Sequence, residues 1–253
     1  MQIKFPTNFH EKTFNSAVDF LKKEKNVMAL TLSGACARGE GSYDSDIDID
    51  AFVENPDTGK EIWERFEKFA STIGTSNEVA KYFGMDLHIR FADIKPKKRG
   101  WTDGPDDFEL EIGNAFIYSQ LIFEKEDFFT KAKEKYLPYY DETLRQERLK
   151  EVLKFCNNNL GHIEPYVKRG LHFQAFKRLY DASKEFLQAL FIHKRIYPIA
   201  YDKWVKKQIV EILQLPELYK EFVTLYEISK LESDELVHKG DKLHNLLNQY
   251  IKI

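Results

Sequence analysis

Cysteine is nearly missing from this chain. Cys36 and Cys156 stand far apart and at no metal-ligand spacing, which excludes a disulfide framework, argues against a zinc module and fits the reducing cytoplasm expected as its location. Long apolar runs are missing too, since nothing approaches the roughly 20 residues that span a bilayer. Met1 to Asn8 hold a proline, one lysine and no hydrophobic signal core, so no export sequence is expected there. Positive charge is not in excess: 38 basic residues against 41 acidic ones give a formal charge of −3 and a pI near 6.2. That balance excludes a dedicated binder of duplex DNA or of membrane surfaces and leaves local basic clefts open. Internal repeats and low-complexity segments are absent. What is present is core-forming material, 43% hydrophobic and 14% aromatic over 253 residues, enough for one large domain or two modest ones.

The hydrophobic period changes along the chain. Phe14, Val18 and Leu21 recur at helical spacing within residues 9–25, and this predicts one amphipathic helix. Val27–Leu32 and Ile47–Val53 read as strands joined by a glycine-bearing connection, followed by a helix from about Lys60 to Ile73. Met85, Leu87, Ile89 and Phe91 alternate with Asp86, His88 and Arg90, the pattern of a half-buried strand. Residues 94–107 concentrate proline, glycine and charge and predict a loop. Beyond Asp127 the pattern is helical, over Glu142–Val167, Phe173–Arg195, Asp202–Leu213, Pro216–Ser229 and Ser233–Tyr250, with breaks short enough for antiparallel neighbours. Pro165 is expected to kink or end the first of these near Ile163. The expectation is a mixed α/β (α+β) domain over residues 1–125 and an all-α helical bundle over residues 126–253.

The chemistry is concentrated in Leu32–Val53, LSGACARGEGSYDSDIDIDAFV. A strand delivers Gly34, a turn of small residues follows, and a second strand carries Asp46, Asp48 and Asp50 on one face while Ile47 and Ile49 point to the core. Like charges so aligned repel unless cations neutralise them. Hard divalent cations with oxygen ligands fit, above all Mg²⁺, which takes one or two carboxylates and completes its shell with phosphate oxygens and water. Gly34 and Gly39 let backbone N–H groups approach a phosphate chain, and Arg38 adds a charged contact.

This run resembles the signature of the DNA polymerase β-like nucleotidyltransferase superfamily, and within it the minimal and antibiotic-modifying (aminoglycoside, lincosamide) branches. It stands here as Gly34-Ala35-Cys36-Ala37-Arg38-Gly39, then Ser45-Asp46-Ile47-Asp48-Ile49. The resemblance implies a mixed-sheet nucleotidyltransferase fold in the first domain, an acceptor-binding helical bundle in the second and an active site in the cleft between them. It implies transfer of a nucleoside monophosphate, AMP from ATP, to a hydroxyl of a small antibiotic-like acceptor, with release of pyrophosphate. Two Mg²⁺ ions would be held by Asp46, Asp48 and a third carboxylate, Asp86, which otherwise serves as base; Gly34, Ala35, Arg38, Gly39 and Ser45 would position the NTP. Ala35 replaces the serine usual after the first glycine, which bears on nucleotide affinity. Tyr180–Trp204 resembles the bundle of the same antibiotic-modifying branches, and Glu185 is the candidate to work near the acceptor hydroxyl. Nucleotidyl transfer to a macromolecule, tRNA or protein, and a non-catalytic nucleotide-binding module are the alternatives.

Other candidates have plainer readings beside the functional ones. Gln174, Arg178, Asp181 and Glu185 form one polar stripe at helical spacing, which is either a solvated face or one turned to the aspartates. His162 and Tyr166, with Asn158 a turn earlier, line a pocket only if the helix bends at Pro165; the plain reading is a surface pair. Lys95, Lys97, Lys98 and Arg99 beside Trp101 make a basic loop that either grips phosphate or is solvated. Cys36 is not expected to be a nucleophile, because nearby carboxylates raise a thiol pKa.

Overall fold

The computed structural model describes residues 3–73 and 84–251, so Met1 and Gln2 of the leading segment lie outside the described residues. The chain forms two compact units, Met1–Lys95 with Glu111–Pro138, and Pro96–Leu110 with Tyr139–Ile253. The division differs from the single boundary expected near residue 125. Loop 96–110 goes with the helices because Arg99, Asp106 and Glu109 have their ionic partners there.

In the first unit, helix α1 (Asn8–Leu21) is capped by Thr7, whose hydroxyl accepts from the His10 N–H at 3.3 Å. Strands β1 (Ala29–Ser33), β2 (Ile47–Phe52), β3 (Met85–Arg90) and β4 (Gln120–Glu124) make a mixed four-stranded sheet in the order β3-β2-β1-β4. A short helical turn, α2 (Gly34–Ala37), follows β1. β1 runs antiparallel to both neighbours, whereas β2 and β3 are parallel. A parallel pair needs a crossover connection, and helix α3 (Pro56–Ile73) lies between β2 and β3 in the chain. Phe14, Ala17, Val18 and Leu21 of α1 and Ile62 and Phe66 of α3 pack with Leu30, Leu32, Ile47 and Ile49. That apolar layer pins the register of β2 and turns its aspartates to the other face. Strand β4 and the helices α4 (Phe108–Ile112) and α5 (Phe128–Glu134) were not expected from the period.

In the second unit, helices α6 (Glu142–Lys168) and α7 (His172–Lys194) pack along each other through Leu149, Val152, Cys156, Leu179, Ala182, Phe186 and Leu190. Gly170, with φ of +71°, turns the chain between them. Contrary to expectation, α6 does not end near Ile163. Pro165 falls in its last turn, where a single carbonyl loses its N–H partner, and buried Val167 holds that turn in the core. Residues 202–213 form one helical turn and a π-helical stretch rather than a regular helix, and α8 (Pro216–Val223) ends in a 3₁₀ turn before α9 (Glu235–Tyr250). Among the described residues no helix is long and apolar enough to cross a membrane.

One cluster of buried charge in this unit is paired. Arg148, 2% exposed, donates to Asp106 at 2.6 Å and to Glu109 at 2.8 Å, and Glu109 also accepts from Tyr140 at 2.9 Å and Gln188 at 2.8 Å. Full satisfaction of this kind makes a buried charge tolerable.

Candidate active site

The site is built where β1 ends, the chain turns and β2 begins. Gly34 has φ of +65°, a conformation costly to any residue with a Cβ, and Gly39 closes the turn at +71°. Gly34 has a second reason to be glycine: a Cβ there would lie 1.8 Å from Asp48 Oδ2. The Asp48 carboxylate therefore sits directly on the backbone of the turn.

The parallel register sets Asp48 opposite Asp86. Asp46, two residues before Asp48, shares its face, and one carboxylate oxygen from each of Asp46, Asp48 and Asp86 lies within 4.8 Å of the others. Like charges this close repel one another, the more so where water does not screen them. Asp46 and Asp86 are exposed and Asp48 half-buried. Three hard oxygen donors on one open face match a divalent cation that keeps part of its shell for water and phosphate. The cradle left by the missing Gly34 side chain fits the same arrangement.

Asp50 is separate from this group. It is fully buried, accepts from Arg90 Nε at 3.0 Å and from Thr31 Oγ1 at 3.3 Å, and so holds the sheet together. Arg90, which shares the polar face of β3 with Asp86, is thus engaged by Asp50. His88, two residues along β3 from Asp86, places Nε2 3.2 Å from Asp48 Oδ1, and that bond raises its pKa above the ordinary 6.5, against its own burial. A raised folded-state pKa means that the stabilisation is full below the unfolded pKa near 6.5 and fades as pH rises through the folded value. Raising pH from 6 to 8 in EDTA should therefore lower stability, by less than about 1 kcal/mol for so exposed a pair. Asp48→Asn should abolish this drift, and an NMR titration of His88 would show its pKa falling back.

The remaining residues of the turn are held locally. Arg38 Nε donates to Glu40 at 2.7 Å, and burial lowers its pKa against the pull of Asp48. Ser45 Oγ accepts from the Ser42 N–H at 2.8 Å. Ala35 lies in α2, where its carbonyl accepts from the Glu40 N–H at 2.9 Å. Gln120 of β4 donates to the Ala37 carbonyl. The Cys36 thiol is buried and its pKa is raised to about 11, first by burial and then by Asp48 and Asp46; this is not the environment of a nucleophile. His10, His88, Ser33 and Gln120 carry no spacing signal that would have drawn them into a sequence-based site.

Glu185 lies in the helical unit and is fully buried. Its Oε1 accepts from Arg99 Nη2, and its Oε2 accepts from Asn159 Nδ2 at 2.8 Å. Arg178 donates to Asn159 Oδ1 at 2.6 Å and to the Trp101 carbonyl at 2.9 Å, while Asp181 pairs with Lys177 at 2.5 Å. The stripe on α7 is thus no solvated face: Arg178, Asp181 and Glu185 are all buried. Nor is the basic loop wholly solvated, because Arg99 is 8% exposed and stacks 3.9 Å from the Phe155 ring centroid. His162 keeps the plain reading, with Nδ1 2.7 Å from the Asn158 carbonyl. Glu185→Gln would leave Arg99 charged and uncompensated. We expect a loss of about 3 kcal/mol in urea denaturation, with kcat and ATP affinity measured beside it to read any role at the acceptor separately.

The sequence matches no protein-family model and no curated protein. Among solved structures, a nucleotidyltransferase-like protein from Exiguobacterium sibiricum 255-15 is similar at 16% identity, over 96% of this chain and 75% of that one, with a TM-score of 0.45. Spectinomycin adenyltransferase AAD(9) from Enterococcus faecialis, solved with ATP and spectinomycin, is similar at 14% identity, over 94% of this chain and 99% of that one, with a TM-score of 0.40. These likenesses are loose, and the functional reading rests on the residues themselves.

Proposed function

We propose that this chain is a Mg²⁺-dependent nucleotidyltransferase that moves AMP from ATP to a hydroxyl of a small, antibiotic-like acceptor. The observation that carries the reading is the seating of Asp48 on Gly34, with oxygens of Asp46, Asp48 and Asp86 within 4.8 Å of one another. Its motif resembles that of the polymerase β-like superfamily, and the acceptor class comes from the antibiotic-modifying branches of that resemblance. The first unit would carry the chemistry, and the helical unit would bind the acceptor.

Asp46, Asp48 and Asp86 would hold Mg²⁺, which when bound supplies neutralisation of the triphosphate and a lower pKa for the acceptor hydroxyl. Gly34 and Gly39 leave the turn free of side chains, so that phosphate oxygens approach the backbone closely. In the transfer, the acceptor oxygen forms a bond to the α-phosphorus while the bond from that phosphorus to the bridging oxygen breaks and pyrophosphate leaves. The hydroxyl proton goes to a carboxylate oxygen of Asp86, whose exposure on β3 gives an acceptor access to it. Catalysis is then mostly positioning and charge stabilisation.

The test is direct. The purified protein is incubated with Mg²⁺ and each α-labelled NTP, against aminoglycosides, lincosamides and bulk tRNA. Label on a small acceptor with pyrophosphate release, strongest with ATP, is the expected result. Label on tRNA alone would move the acceptor class to macromolecules. No Mg²⁺-dependent transfer or ATP binding of any kind would overturn the reading.

A further inference from the structure

Asp46 stands immediately before β2. The β1–β2 pairing begins at Ser33 opposite Asp48, and the β2–β3 pairing begins at Ile47 opposite Met85. Asp46 precedes both ladders, and the N–H that follows it, that of Ile47, donates to the Gly84 carbonyl at 3.0 Å. Three side chains from elsewhere also hold carbonyls of this segment. Ser33 Oγ donates to the Asp48 carbonyl at 3.5 Å, Cys36 Sγ to the Asp46 carbonyl at 3.5 Å, and His10 Nε2 to the Ser45 carbonyl at 3.0 Å.

The His10 contact is the shortest of the three and comes from furthest away in sequence. Its ring is fully buried at the start of α1. A carbonyl only accepts, so Nε2 carries the hydrogen; Nδ1, 2.7 Å from Thr7 Oγ1, then accepts from that hydroxyl. Thr7 Oγ1 in turn accepts from the His10 N–H at 3.3 Å, so the helix cap fixes the ring that holds the Ser45–Asp46 peptide. A buried polar ring that merely filled the core would be replaceable by an apolar one of similar size. Here it reaches from the first helix to the residue before a candidate ligand.

We propose that His10 is a positioning residue for Asp46: through its Nε2–H bond to the Ser45 carbonyl it sets where the Asp46 carboxylate meets the ion. The proposal rests on the metal-dependent reading above. Groups that orient a metal's ligands from behind change metal affinity by about tenfold or more when lost.

The test measures Mn²⁺ binding in the presence of ATP, by electron paramagnetic resonance, on folded full-length protein well below its melting temperature. Wild type should bind and Asp48→Asn should not. His10→Phe should bind about tenfold more weakly. His10→Asn should do the same, since its amide reaches the position of Nδ1 but not that of Nε2. His10→Gln, whose amide nitrogen can take the place of Nε2, should recover most of the affinity. A purely structural role would lower the melting temperature of these variants and leave Mn²⁺ affinity in the folded protein unchanged. Wild-type affinity in His10→Phe or His10→Asn overturns the proposal, as does an unrecovered His10→Gln or the failure of all three variants to fold. If wild type and Asp48→Asn bind alike, the metal-dependent reading has failed and the proposal falls with it; a difference between those two with normal His10 variants sinks the proposal alone.

Discussion

Asp48→Asn is expected to lower nucleotidyl transfer about a thousandfold, the scale on which removal of one preorganised electrostatic group acts, without lowering the melting temperature. The two effects have one cause. Asp48 shares its face with Asp46 and Asp86 within 4.8 Å, so neutralising it relieves two repulsions in the metal-free protein. The loss on the other side is the His88 contact, a partly exposed pair worth less than about 1 kcal/mol. Stability should therefore be unchanged or improved while activity disappears, which is the signature of a residue kept for function at some cost to the fold. A calorimetric scan in EDTA beside a transfer assay would show it. Full activity in Asp48→Asn would refute the site.

Gly34→Ala is expected to cost activity about a hundredfold by moving Asp48, the scale of a misplacement of an ångström at a reacting centre. It should also cost about 1–2 kcal/mol of stability from the positive φ. Gly39→Ala separates the two contributions. Gly39 has φ of +71°, close to the +65° of Gly34, but a Cβ there would meet nothing within 4 Å, whereas at Gly34 it would lie 1.8 Å from Asp48 Oδ2. The pair should lose similar stability, and only Gly34→Ala should lose transfer. Equal activity losses would mean that the turn, rather than the seating of Asp48, limits the reaction.

Much of this site was legible before any coordinates. β2 and β3 announce themselves by alternation and β1 by a short apolar run, and the interval from Gly34 to Asp46 and Asp48 carries its own chemistry. The register that sets Asp48 against Asp86 was not legible, because pairing between strands separated by a helix is chosen by tertiary packing and not by local period. β4 was missed for a related reason: as an edge strand it exposes Leu121 at 41%, so its alternation does not mark a buried face cleanly. The stripe Arg178-Asp181-Glu185 fitted a solvated helix face as well as a buried one, because periodicity records that residues share a face and not what covers it. The partners of Arg178 and Glu185, namely Arg99, Trp101 and Asn159, sit on other segments, whereas Asp181 pairs with Lys177 on the same helix. His10 gave no signal for the same reason, since its carbonyl acceptor is 35 residues away.

The excursion of Pro96–Leu110 into the company of the helices means that the polypeptide passes between its two bodies three times, after Lys95, after Leu110 and after Pro138. No one scission yields two whole halves. A fragment starting at residue 126 would keep Arg148 and Glu185 but shed Asp106, Glu109 and Arg99, stranding opposite charges in an oily interior without the counterparts that make them bearable. Threading of this kind makes the two bodies inseparable as heritable modules: a recombination event that swapped the helical part for another would have to carry a fifteen-residue piece from the middle of the first part along with it.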